Sequence, residues 1–189
     1  MAKDYEWLKS QSGDTLEWGL NFTTIKDAPL NYYTFHTISK MLNENPLIKQ
    51  VVEIGQFTGS MSLYLGMEAV ARGLDCHSYE ITKQTSVETD RLLKRLDVRT
   101  HFCDVFQYPN MVIDIIKVAP TLLIVDGGNK PEEFKIFVPH LPEHSVIIAH
   151  DFEREFFEKD WMVHNKIVDP INVVNWNYLN SQTACFKKK

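Results

Sequence analysis

Five short apolar runs rich in β-branched residues recur along the 189-residue chain, and no other feature constrains its fold as tightly. They are "IKQVVEIG", ending at Gly55, "LDCHSYEI" from Leu74 to Ile81, "VRTHFCDV" from Val98 to Val105, "APTLLIVDGG" from Ala119 to Gly128, and "HSVIIAHD" from His144 to Asp151. Their length and composition predict strands. Helical patterns lie between them: Met61 to Ala71, "TSVETDRLLKRL", "PNMVIDIIKV" and "PEEFKIFVPHL". The last has Pro131 at its first helical position and acidic residues in its first turn. Strand and helix alternating over short connections imply parallel βαβ units, hence an α/β fold with a doubly wound, mostly parallel sheet. Near the carboxyl end, "INVVNWNYL" and "QTACFKK" flank Asn180-Ser181 and predict an antiparallel hairpin at one sheet edge.

Length and composition fit one domain, residues 1–189, with 44% apolar residues to build its core. A helix is expected from about Tyr32 to Asn43, ending before Pro46. The segment 1–48, with Trp7, Trp18, Tyr32 and Tyr33, is expected to form a lid or one side of an acceptor pocket. A net charge of −5 argues against a nucleic-acid partner, and Lys187-Lys188-Lys189 reads as a solvated tail. The start "MAKDYEWLKSQSGD" lacks an apolar signal core, and no run is long enough to span a membrane. Cys76, Cys103 and Cys185 form no CxxC pair, and the first two fall in strand-like runs as buried reduced thiols. A cytoplasmic protein is expected.

Ligands of an open parallel sheet bind beyond the carboxyl ends of its strands. There each of the five runs carries an acidic residue: Glu53, Glu80, Asp104, Asp126 and, after His150, Asp151. Turn chemistry accounts for "DGG" but poorly for the two glutamates, which are not favoured turn residues. The glycine pattern is ExGxxxG, with Gly55 and Gly59 permitting a tight turn and a close ligand approach. Neither GxGxxG nor GxxxxGK[ST] occurs, which disfavours a dinucleotide-dependent oxidoreductase and a triphosphate site. A row of carboxylates suits a ligand with hydroxyls and positive charge.

The ordered set "VVEIGQFTGS", "SYEIT", "FCDVFQ", "LLIVDGGNK" and "VIIAHDFER" resembles the class I S-adenosylmethionine-dependent methyltransferases. Within them it is most similar to the small-molecule O-methyltransferases, of catechol and macrolide-sugar type, and to the cephalosporin hydroxylase-like group. The resemblance covers Val51 to about Arg154. It implies S-adenosyl-L-methionine as cofactor and methyl transfer to a small-molecule acceptor, at a hydroxyl oxygen. Read through it, Gly55, Gln56, Phe57 and Gly59 form the turn beneath the methionine part of the cofactor. Glu53 lies at the floor near its amino group or sulfonium, and Glu80 holds the ribose hydroxyls. Asp104 and Val105 flank the adenine, and Asp126 closes the cofactor side.

A hydroxyl acceptor must also lose a proton, to a side-chain base or through a divalent metal acting as Lewis acid. The positions matching the catechol-type magnesium ligands are Asp126, His150 and Asp151. A histidine between two carboxylates is less suited to magnesium and more tolerated by manganese, iron or zinc, or else is itself the base. These three are the expected catalytic residues. The catechol-type lysine falls on Asn129, and the adjacent Lys130 is expected to point elsewhere. "HLPEH" reads as a turn before the fifth run because Pro142 separates its histidines. Phe152, Phe156 and Phe157 either line an acceptor pocket or pack the core. No inserted cap is visible, so a second copy of the chain is a candidate to complete the site. The alternative from another class is a module that holds the cofactor or a nucleoside without transferring anything.

Overall fold

A computed structural model describes residues 32–152, 154–173 and 183–189. Trp7, Trp18, most of the 1–48 segment and the expected turn at Asn180-Ser181 lie outside these residues. The elements run α1 (Tyr32–Glu44), β1 (Gln50–Ile54), α2 (Ser60–Arg72), β2 (Asp75–Glu80), α3 (Val87–Arg95), β3 (Val98–Phe102) and α4 (Asn110–Ile116). Then follow β4 (Thr121–Val125), α5 (Lys130–Phe137), β5 (Val146–Ala149), α6 (Glu158–Met162), β6 (Val168–Val173) and β7 (Ala184–Lys188). The five expected parallel strands, the helices between them and the helix from Tyr32 form; of the expected strand 171–179, β6 begins earlier, at Val168, and residues 174–179 lie outside those described. The third strand stops at Phe102, so Cys103 lies beyond it and is only half-buried.

The seven strands form one sheet in the order β3-β2-β1-β4-β5-β7-β6. The first five are parallel, and β7 runs antiparallel to both β5 and β6. Every residue of β1 and β4 is buried, as expected of central strands covered on both faces. Side chains of each strand divide between two cores. Val51, Leu122 and Ile124 pack with Ile38, Met41, Leu65 and Leu93 of α1, α2 and α3. Val52, Leu123 and Val125 pack with Val112, Ile116, Phe134 and Phe137 of α4 and α5. Phe152 and Phe156 belong to this second core, with Phe134 and Phe156 rings 5.1 Å apart. Core packing therefore accounts for these two phenylalanines. The lysines at 187 and 188 are part of β7 rather than a free tail: Lys187 registers opposite Val146 and Asp169, and Lys189 Nζ lies 2.9 Å from Asp169 Oδ1.

Strand order reverses between β1 and β4, and the chain fixes this crevice through close backbone contact. Gly55 has φ +98°, and a Cβ there would stand 2.4 Å from the carbonyl oxygen of Asp126. A side chain at 55 is excluded both by its backbone conformation and by its neighbour. Gly73, closing α2 at φ +67°, has nothing within 4 Å of the same position. Gly55→Ala is therefore expected to cost ~3 kcal/mol or more in chemical denaturation, against ~1 kcal/mol for Gly73→Ala. Equal costs would show that the approach to Asp126 is slack.

Candidate functional site

Beyond the ends of the parallel strands the backbone ladder continues by one step on each. Gly55 N–H donates to Tyr79 O, Asp126 N–H to Ile54 O, His150 N–H to Val125 O, and Cys103 N–H to Glu80 O, at 2.9–3.2 Å. These bonds hold Glu80, Gly55, Asp126 and His150 in one row along the rim. Of the sequence-expected residues, Glu80 and Gly55 thus lie on one side of the β1–β4 reversal and Asp126 and His150 on the other, all at the carboxyl ends of the parallel strands.

On the β1 side, Gln56 N–H also donates to Tyr79 O, and Phe57 N–H donates to Glu80 Oε2 at 2.7 Å. Glu80 Oε1 accepts from the Ile81 N–H, so this glutamate splints the glycine turn to the end of β2 and keeps a free lone pair on each oxygen. The turn holds Phe57 at φ 48°, an uncommon conformation for a bulky residue, with its ring half-exposed at the rim. Asp104 follows β3 and accepts from the backbone N–H groups of Phe106 and Gln107, while Val105 is buried in the second core.

Glu53 lies deeper. Its side chain shares the face of Val51, beneath α2, and is 0% exposed. The hydroxyls of Ser62 and Ser78 both donate to its Oε2, while Oε1 has no hydrogen-bond partner among the described residues. Gln56 Nε2, also buried, is unpartnered in the same way. Burial pushes the Glu53 carboxyl up to about 8, against the opposing effect of the two serines. Two buried polar atoms left without partners near a glycine turn, one on a carboxyl that resists ionising, suit a cationic, hydrogen-bonding ligand.

On the β4–β5 side, His150 is 7% exposed, and its Nδ1 lies 3.1 Å from Asp126 Oδ1 and 3.3 Å from Asp151 Oδ2. It is aimed between them rather than well aligned on either. Burial alone would lower the pKa of His150, but the two carboxylates outweigh it and raise it to about 10, so the ring is an imidazolium at neutral pH. Asp151, at φ 54°, is held below the usual carboxylate range by His150, Lys130 and Arg154 despite its burial.

Lys130 does not point away. Its Nζ lies 3.5 Å from Asp126 Oδ1, 3.7 Å from Asp151 Oδ2 and 2.6 Å from Glu155 Oε2, and it donates to Gly127 O at 3.1 Å. The side chain on the first residue of a helix leans back over the preceding loop, here Asp126 to Asn129. Glu133, one turn on and fully buried, accepts from the N–H groups of Gly127 and Asn129 and shapes that loop. Sequence reasoning missed both residues. The signal was the D-G-G-N-K-P-E-E spacing, which puts Lys130 and Glu133 on one helical face.

Asp126, His150 and Asp151 each offer a ligand atom within 4.8 Å of one another, the dimension of a metal cluster. A metal held by this group would share its two aspartates with the Lys130 ammonium, which lies 3.5 Å from Asp126 Oδ1 and 3.7 Å from Asp151 Oδ2. The arrangement sets two cationic groups, Lys130 and His150, among three carboxylates, Asp126, Asp151 and Glu155.

Glu53 gives the first test. A carboxyl whose folded pKa is raised from 4.5 to about 8 contributes a penalty that grows from pH 4.5 upward and is complete above pH 8. Glu53→Gln keeps an oxygen for both serines and removes the ionisable group. It should raise the stability of the ligand-free protein by ~1–3 kcal/mol at pH 8.5 and by much less at pH 5, in urea denaturation at the two values.

No protein-family model matches the chain, and no curated protein matches it. Solved structures match it in shape. The O-methyltransferase TomG from Streptomyces achromogenes, involved in tomaymycin synthesis and solved with SAM, gives a TM-score of 0.62 at 13% identity over 93% of this chain and 89% of that one. A form of CmcI with Mg and SAM gives 0.61 at 14% identity over 84% and 72%. A variant of MtNAS solved with S-adenosylmethionine gives 0.55 at 11% identity over 92% and 71%. At identities this low the likeness is one of fold, and the chain has the fold that these SAM-bound proteins share.

Proposed function

We propose that the chain binds S-adenosyl-L-methionine at the rim between β1 and β4 and directs its methyl group to a hydroxyl oxygen of a small-molecule acceptor. The observation that carries this reading is the pinned row of Glu80, the Gly55–Gly59 turn, Asp126 and His150, with the unpartnered Glu53 Oε1 and Gln56 Nε2 beside it. On its β1 side such a row offers carboxylates to a ribose diol and an ammonium and, among its described contacts, no cation to a pyrophosphate.

Glu80, through its free lone pairs, would take the ribose hydroxyls, and Asp104 would meet the exocyclic amine of the base with Val105 beneath it. Gly55, Gln56, Phe57 and Gly59 would carry the amino-acid end, with Glu53 below. Bound there, S-adenosyl-L-methionine supplies an electrophilic methyl group on a sulfonium. Asp126, His150 and Asp151 face the acceptor. The His150 imidazolium and the Lys130 ammonium stabilise negative charge developing on the acceptor oxygen, preorganised and largely shielded from water. The hydroxyl proton passes to the Asp126 carboxylate. His150 becomes a base itself only at high pH, once its own proton has left. The acceptor is a small molecule rather than a nucleic acid, consistent with the acidic chain. A second copy of the chain is the candidate for closing its far side. Among the described residues no helix is long and apolar enough to cross a membrane, consistent with a cytoplasmic protein.

Calorimetric titration with S-adenosylhomocysteine should show micromolar binding, and none with NAD. Glu80→Ala should weaken that binding by ~10–100-fold, about 1.4–2.8 kcal/mol, through two lost hydroxyl contacts and a slackened turn. Indifference of the native chain to the nucleoside would end this reading. Tight binding with no methylated product across sugars, phenols and polyketides would leave a binding module.

A further inference from the structure

Lys130 Nζ and His150 Nδ1 both address Asp126 Oδ1 and Asp151 Oδ2, on the two carboxylates of the candidate metal group. Lys130 is 3% exposed, so its ammonium is not a surface charge that happens to pass by. Its backbone is fixed as well. Asn129 caps α5, accepting from the Glu132 N–H, and Glu133 ties down the loop that Nζ reaches back over. Nζ is also anchored by the Gly127 carbonyl. Its remaining partner, Glu155, lies 2.6 Å away and is half-exposed at the rim.

A divalent ion bound to both aspartates would sit ~2.0–2.4 Å from each oxygen. That places it within a few ångströms of an ammonium buried at 3.5 and 3.7 Å from the same atoms. Two such cations repel strongly where water is scarce. We infer that Lys130 is the resident cation of this site, and that retention of its ammonium and binding of a divalent ion are mutually exclusive. Lys130 thereby acts as a specificity-determining residue that keeps divalent ions out and leaves the two aspartates to the chain's own charges. The inference deepens the site proposed above but does not need methyl transfer to occur, because cation binding and nucleoside binding are read separately.

The test uses the full chain, as the native protein and as Lys130→Gln and Lys130→Met. The glutamine amide keeps hydrogen bonds to the aspartates should the methionine variant fold poorly, and circular dichroism checks both. Mn2+ binding is followed by electron paramagnetic resonance of the free ion. Thermal midpoints are recorded with and without Mn2+. Both variants should bind Mn2+ at least ~10-fold more tightly than the native chain, and their midpoints should rise with Mn2+ while the native midpoint stays. Adding Asp126→Asn to Lys130→Gln should abolish the gain and so place it here. Equal affinity in native and variant chains, whether tight or undetectable, would overturn the inference. S-adenosylhomocysteine titrated into the same samples reports on the proposed function alone. Failure there with a clear Mn2+ gain would discredit the nucleoside reading and not this one.

Discussion

The backbone of Gly55 rests against the carbonyl of Asp126, with no room between them for a single methyl group. That contact joins the loops after β1 and β4 at the point where strand order reverses. From it follows the placement of nearly everything else at the rim. Asp126 donates its N–H back to Ile54, His150 donates to Val125, and the glycine turn is splinted by Glu80. The charged side chains inherit these positions from backbone bonds, and so need little ordering of their own when a ligand arrives. The glycine that a sequence reader assigns to ligand approach is needed first for the approach of one strand loop to another.

Charge burial divides the rim into two unlike halves. On the β1 side Glu53 is desolvated and has only two serine hydroxyls to oppose its protonation. That half lacks a cation among its described contacts. On the β4–β5 side Asp126, Asp151 and Glu155 gather around Lys130 and His150, and opposite charges compensate within the group. Breaking such a group by removing one member is costly because the partner charge stays behind, buried. One half is therefore prepared for a positive ligand, while the other holds its cations against three carboxylates of its own.

Much of this was legible before any coordinates. The β-branched runs gave the strands, the alternation gave the parallel sheet, and Glu80, Asp104, Asp126 and Asp151 gave the rim, while Glu53 lies buried within β1. What stayed hidden depended on direction and on long-range contact. Lys130 was misread because its neighbour Asn129 occupies the familiar position, and the start of α5 was not used to turn the lysine back toward Asp126. Glu133 has no meaning in sequence until the loop at Gly127 is seen to need an acceptor. Ser62 and Ser78 come from α2 and β2, and nothing local ties them to Glu53. The lysines at 187 and 188 looked like a tail because charge runs usually are one, but strand pairing with Val146 and Asp169 overrides composition.

The place of β7 between β5 and β6 carries a consequence for the order of assembly. During synthesis β6 emerges before the strand that joins it to the sheet, so it must wait without hydrogen-bonded neighbours until residues 184–188 arrive. Until then β5, whose last residue leads directly into His150 and Asp151, presents an open edge to the cell. The β4–β5 half of the rim thus rests on a strand made last of all the described elements, whereas the strands flanking the glycine turn are made early.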